Sequence, residues 1–293
     1  LVSGDPGARR RLIFVGSVLA AIVLAYIALF AVSKAVVVFR EETFTSPAAG
    51  GGLPLAIYVD LAAVDPVRLS MDVRLDVASA RGASGTRYGG RLGRDVELLV
   101  SDGEIEQEYT LRRGDPLSSR AFVAGLQGAV ARYPFDSYAT RIAVSAVELS
   151  ANNGRKAIPV RATLWEGVPA WDLRVAQLRP LDPAQGLALA LNVRRPVPLV
   201  FFACVIYGLI GVIAVCAITI GALVFVGIRR LEVTLVGALA GMVFALPIMR
   251  NILPGAPPLG VLPDIFILLW AEVAVAVGLI LFVTAWAQRG SQP

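Results

Sequence analysis

Histidine is absent from the 293 residues, and only two cysteines occur. Ser-His-Asp and Cys-His mechanisms and the common zinc sites need imidazole or several thiolates, so the chain lacks the groups for them. Among the groups that remain, three carboxylates stand out by their surroundings. Asp136 lies in the aromatic run Arg132-Tyr133-Pro134-Phe135-Asp136-Ser137-Tyr138, while Asp264 and Glu272 belong to an apolar stretch near the C-terminus. General acid–base catalysis by Asp136 would want a second carboxylate in recognisable spacing, and none accompanies it. Pro134 fixes its own φ and holds Tyr133 extended, the aromatics suit a plug at the end of a β-domain, and Asp136 suits hydrogen bonds to turn amides. The motif reads as a rigid turn into a strand, or as an aromatic loop that contacts helices or a partner. No enzyme activity, cofactor or metal is expected.

The elements that position these groups follow from composition. Hydrophobic residues make up 56% of the chain and charged ones only 17%, against about 25% charged in an ordinary soluble domain. A bilayer takes roughly 20 residues of helix. Four runs meet that demand, over 12–33, 197–228, 231–249 and 264–286. Residues 1–11 then form an N-terminal flank, 34–196 a soluble domain, 250–263 an outer loop with four prolines, and 287–293 a tail. The run 12–33 is longer than the apolar core of about 7–15 residues in a cleaved signal peptide, so an uncleaved anchor is expected. Arg229-Arg230 in the short turn after the second run, set against a loop Asn251–Pro263 with no basic residue, places both termini in the cytoplasm and the large domain outside a plasma membrane. The formal charge of +5 says little about partners, because residues 40–195 hold 19 basic and 18 acidic groups. No basic face with interleaved aromatics occurs, so nucleic acid is not an expected partner.

Within the soluble domain, alternation with period two dominates. Leu69, Met71, Val73, Leu75 and Val77 share one face of a strand whose other face is polar, as in a sheet with one buried side. Comparable strands read over 55–61, 96–100, 105–112, 141–149, 159–165, 171–178 and 187–193, with tight turns such as Ser101-Asp102-Gly103 between them. Only 118–132 has helical character. The fold class expected is an integral membrane α plus β protein, with four transmembrane helices arranged one plus three and an extracytoplasmic antiparallel β-sandwich.

Glu272 lies eight residues past Asp264, about 12 Å deeper along a helix. A carboxyl group near the bilayer middle should face protein or water rather than lipid. The other spans hold no basic residue in their cores, so the expected role is a protonated group hydrogen-bonded among helices or to a neighbouring subunit. Gly237 and Gly241 form a Gly-x-x-x-Gly face, and Gly208 and Gly211 lie close together on the preceding span. Such faces let helices approach, first among the three C-terminal spans themselves. Cys204 and Cys216 lie on one helix, too far apart to bridge. The prolines of the outer loop make a stiff cap rather than a mobile lid.

Tyr133-Pro134-Phe135-Asp136-Ser137-Tyr138 resembles the Y-P-F-D-x-Y segment of an actinobacterial membrane-protein family of unknown function. The resemblance extends, through the one-plus-three layout, over nearly the whole chain. It implies a β-domain outside the membrane but little about activity. By layout alone the chain is also similar to accessory subunits of mammalian-cell-entry (Mce) lipid importers. Pro134-Phe135-Asp136 further resembles the signature loop of pentameric ligand-gated channels, from which the chain departs in placing a helix before its β-domain and in lacking flanking cysteines. The expected function is a non-enzymatic accessory or stabilising subunit of an envelope transport complex, with membrane lipids and other integral-membrane subunits as partners. A ligand-responsive channel or membrane sensor is the alternative.

Overall fold

Apolar residues at every second position build two facing sheets. The computed structural model describes residues 41–46, 54–78, 92–115, 119–149, 154–165, 168, 170–178, 186–232 and 234–290, with a few single positions between 10 and 28. The first apolar run, 12–33, lies outside the described residues as an element. One sheet contains β1 (Glu41–Thr45), β2 (Leu55–Asp65), β3 (Ser70–Ala78), β6 (Ser119–Gly125) and β10 (Val160–Trp165) in the order β1-β10-β2-β3-β6. Its pairs are antiparallel except β10 beside β2. The other has the order β11-β12-β8-β4-β5, built from β4 (Val96–Ser101), β5 (Glu106–Leu111), β8 (Ser137–Leu149), β11 (Asp172–Leu178) and β12 (Leu187–Arg194). The short strands β7 (Gln127–Gly128) and β9 (Arg155–Ile158) also pair with β8.

The inner faces supply the core. Ile57, Val59 and Leu61 of β2 and Val73 and Leu75 of β3 pack with Leu98, Ile142, Leu189 and Leu191 of the opposite sheet. This is the sandwich arrangement of a sheet pair with one buried and one wet face each. The helical expectation for 118–132 fails: residues 119–125 form β6, and only Val130–Arg132 makes a single helical turn. The reason is tertiary. Pairing with β3 supplies the backbone hydrogen bonds, and Phe122 and Ala124 drop into the core at alternate positions. Local propensity gives way to that burial.

Three helices follow: α1 (Val197–Phe225), α2 (Thr234–Asn251) and α3 (Leu269–Gly290), the last entered through a π-helical turn at Asp264–Leu268. All three are long and apolar enough to cross a bilayer. They bury a narrow seam that includes Ile206, Ile210, Leu246, Val275 and Phe282, and expose Phe201, Phe202, Leu209, Phe244 and Ile280. An apolar outer surface of this extent suits lipid, not water. The sandwich sits on the end where α1 begins and α2 passes into α3.

Small residues do let two helices meet, though not the ones singled out by sequence. A Cβ on Gly208, Gly211, Gly237 or Gly241 would find nothing within 4 Å. The close crossing joins α1 to α3 instead, where a Cβ on Gly221 would collide with the backbone oxygen of Gly278, and one on Gly278 with that of Ala217. Spacing within one helix identifies a small face but not the helix it meets. Gly221→Val should therefore lower the stability of the detergent-solubilised protein by about 1–3 kcal/mol, as overpacking does. Gly241→Ala should leave thermal unfolding unchanged; a silent Gly221→Val would contradict the crossing.

Candidate functional site: the junction of sandwich and helices

The sandwich meets the helices around one buried arginine. β12 ends at Arg194, α1 begins at Val197, and Arg195 occupies the linker between them. Its Nε donates to Asp136 Oδ1 at 2.7 Å, and the two side chains are 1% and 0% exposed. The other carboxylate oxygen accepts the Tyr138 hydroxyl at 2.9 Å. The Arg195 guanidinium also lies against two aromatic rings, 4.7 Å from the Tyr133 centroid and 4.6 Å from that of Trp171. Both are cation–π distances. Trp171 meets Tyr138 edge to face at 5.6 Å.

Tyr133 carries the junction into the loop between α2 and α3, because its hydroxyl donates to the Pro254 carbonyl at 3.1 Å. Burial pushes the Tyr133 phenol up to about 12, with Asp136 adding to the rise against the opposing pull of Arg195. Burial and the hydrogen bond to Asp136 push Tyr138 up as well. Both phenols are therefore fixed donors at neutral pH. The next residue in the loop, Gly255, has a φ of +76°, and a Cβ there would strike Arg195 Nη1. Glycine is needed twice over, for the left-handed backbone and for the space.

A second buried pair closes the same end of the bundle. Arg250, at the end of α2, donates through Nη2 to Asp264 Oδ2 at 3.0 Å and to the carbonyls of Pro257 and Pro258 at 2.8 Å each. Asp264 Oδ1 accepts the Tyr207 hydroxyl of α1 at 2.7 Å, and Oδ2 accepts the Gly260 N–H at 3.1 Å. One carboxylate thus holds α1, α2, the proline loop and the start of α3. Each of the two buried acids is thus engaged by an arginine.

The candidate residues divide. Tyr133, Pro134, Asp136 and Tyr138 gather at the junction, with a cis peptide between Tyr133 and Pro134. Phe135 departs from the plug expectation: it is 71% exposed, and the two tyrosines are what fill the end of the domain. Asp264 sits 7% exposed in the cap. Glu272 lies about two turns further along, half-buried on the flank of α3, with no hydrogen bond or ion pair to another described residue. Gly208, Gly211, Gly237 and Gly241 belong to neither cluster. Sequence reasoning missed Arg195, Arg250, Tyr207 and Trp171. Each of the two arginines abuts an apolar span, and the acids that match them are the ones with unusual surroundings.

Removing one partner of a buried pair leaves a charge without compensation, which costs roughly 3–5 kcal/mol. Asp136→Asn should lower unfolding stability by about that amount, whereas Phe135→Ala should change it by less than about 0.5 kcal/mol, as surface changes do. Chemical denaturation of the two variants side by side checks this. Equal losses would show that the aromatic turn, rather than the ion pair, carries the junction.

Two family models divide the chain at this junction. Residues 44–193, half of the chain, match a domain of unknown function (DUF4436), and residues 195–289 match a second (DUF8686). No curated protein matches. The sandwich and the helical bundle thus correspond to the two matched segments, which meet at Arg195, and the chain belongs to the DUF4436 family.

Proposed function

We propose that this chain is a non-enzymatic accessory subunit that stabilises a cell-envelope transport complex, holding a β-sandwich at a fixed attitude above the membrane for partners to dock on. The observation that carries the reading is the fully buried Arg195–Asp136 pair, which joins sandwich to helices without a flexible linker. Both deeply buried carboxylates, Asp136 and Asp264, are engaged by arginines, so they serve architecture rather than turnover. Glu272 offers a complementary contact in the membrane. A half-buried carboxyl with no side-chain partner among the described residues suits a hydrogen bond from a neighbouring subunit. A lipid importer of the Mce type is the assembly whose subunit layout the chain best suits.

Orientation enters the same reading. At the sandwich end, Arg194 pairs with Asp172, Arg195 with Asp136 and Arg250 with Asp264. Local acids therefore offset the basic residues there. At the opposite end Arg229 and Arg230 are both exposed and make no ion pair with another described residue, although Glu232 follows two positions on. The positive-inside bias then favours a cytoplasmic Arg229-Arg230 turn and a sandwich outside the plasma membrane. Lys156→Cys, with Cys204 and Cys216 replaced by alanine, should react with an impermeant maleimide on intact cells. Labelling only after lysis would reverse the orientation.

Assembly is tested by isolation in a gentle detergent. The chain should emerge with an ATPase and substrate-binding subunits, and Glu272→Gln should keep them while Glu272→Leu loses them, because glutamine retains hydrogen-bonding capacity and leucine does not. Recovery alone as a homo-oligomer would overturn the accessory reading in favour of a channel or sensor. Full assembly of Glu272→Gln with no transport would instead give that residue a proton-coupled role.

A further inference from the structure

We propose that the outward face of the second sheet carries a phosphate-binding groove, with the phosphate held between Arg141 and Arg174. This goes beyond the assembly reading and does not depend on it. A groove of about 1020 Å³ crosses β11, β12 and β8 in the half of the sandwich nearer the helices. Strand register sets its floor. Arg174 stands opposite Asn192, which stands opposite Ala139; on the next rung Ala176 stands opposite Ala190, which stands opposite Arg141. Alanine is depleted in strands because it leaves a pleated surface unfilled. Three alanines on two adjacent rungs make a hollow between the two arginines. From strand spacing and rise, their Cα atoms lie roughly 12 Å apart on one face, so two long side chains can converge above that hollow.

Neither Arg141 nor Arg174 has an ion pair or hydrogen bond to another described residue, unlike the arginines of the junction and the cap. Guanidinium forks approaching from two sides match the several acceptor oxygens of a phosphate better than the two of a carboxylate. One wall is the β4–β5 turn, which follows Ser101 opposite Ala143 and so lies on the Arg141 side of the groove. Asp102 accepts the N–H groups of Glu104, Ile105 and Gly125 at 3.0, 2.7 and 2.7 Å, stitching the β4–β5 turn to the end of β6. Burial alone would raise the pKa of Asp102, but those donors outweigh it and hold the carboxyl below its ordinary value. With Glu104 beside it, that wall of the groove is acidic. An anionic group is drawn to the two guanidinium groups, and any hydrogen-bond donor or cationic part of the ligand toward Asp102 and Glu104.

The same phosphate could belong to a lipid headgroup or to a free solute. The full chain in nanodiscs of neutral phosphatidylcholine is titrated calorimetrically with dihexanoyl phosphatidic acid and, separately, with inorganic phosphate. Saturable binding of either probe is expected, and Arg141→Gln and Arg174→Gln should each weaken it roughly tenfold, the factor a lost charge-assisted hydrogen bond gives. Arg161→Gln, on the exposed face of the other sheet, should bind as the parent does. Binding of inorganic phosphate alone would point to a free solute, and binding of the lipid probe only to a headgroup. The proposal is overturned if neither probe binds, or if the Arg141→Gln/Arg174→Gln double variant melts as the parent does and binds either probe equally well.

Discussion

A guanidinium in a dry interface is tolerable only beside a counter-charge, and at the junction Asp136 is that counter-charge for Arg195. Much of the local structure follows from this one constraint. The proline turn must bring Asp136 in beneath the sandwich, Tyr138 must satisfy its second oxygen, and two aromatic rings must flank the cation. The loop from α2 must present a residue without a side chain where Gly255 meets Arg195. A buried pair of this kind adds little net stability over an apolar contact of the same shape, yet breaking it is expensive. Its value is geometric: Arg195 and Asp136 extend the Arg194–Ser137 rung of β12 and β8 and set how the chain leaves the sandwich for α1.

The helical bundle repeats the device. Arg250 and Asp264 form a pair that also recruits Tyr207, two proline carbonyls and the Gly260 amide, so that one carboxylate gathers four segments. Tyr133 then bridges the two sites through Pro254. Sandwich, proline loop and helices are coupled through polar contacts, while the crossing of Gly221 and Gly278 holds α1 and α3 together by shape alone. That the two family models meet at Arg195 fits this division, since each covers one packed unit and the arginine links them.

Legibility in the sequence was uneven for physical reasons. Strands with a buried face announce themselves by period two, and β2, β3, β4 and β12 read directly because each buries alternate Val, Ile, Leu or Met residues. β6 did not, because Ser-Arg-Ala-Phe-Val-Ala-Gly carries helix formers whose strand state depends on β3 beside it. The apolar spans were visible by length. The aromatic turn was visible as a motif, but which ring is buried depends on the pairing of β8 and the path of the linker, and Phe135 proved to be the exposed one. The ion pairs were hidden for a simpler reason. Asp136 and Arg195 are separated by 59 positions, so no local pattern joins them. The groove arginines were equally silent, because only register brings Arg141 and Arg174 onto adjacent rungs.

The central claim is that the Arg195–Asp136 pair fixes the attitude of the sandwich on the bundle. The most direct test is a distance distribution by pulsed electron resonance in nanodiscs. One spin label sits at Lys156 on the sandwich and the other at Arg229 beyond α1, with Cys204 and Cys216 replaced by alanine. A single narrow distance is expected for the parent chain, broadening when Arg195→Gln removes the charge. A broad distribution in the parent, or one left unchanged by Arg195→Gln, would contradict the claim.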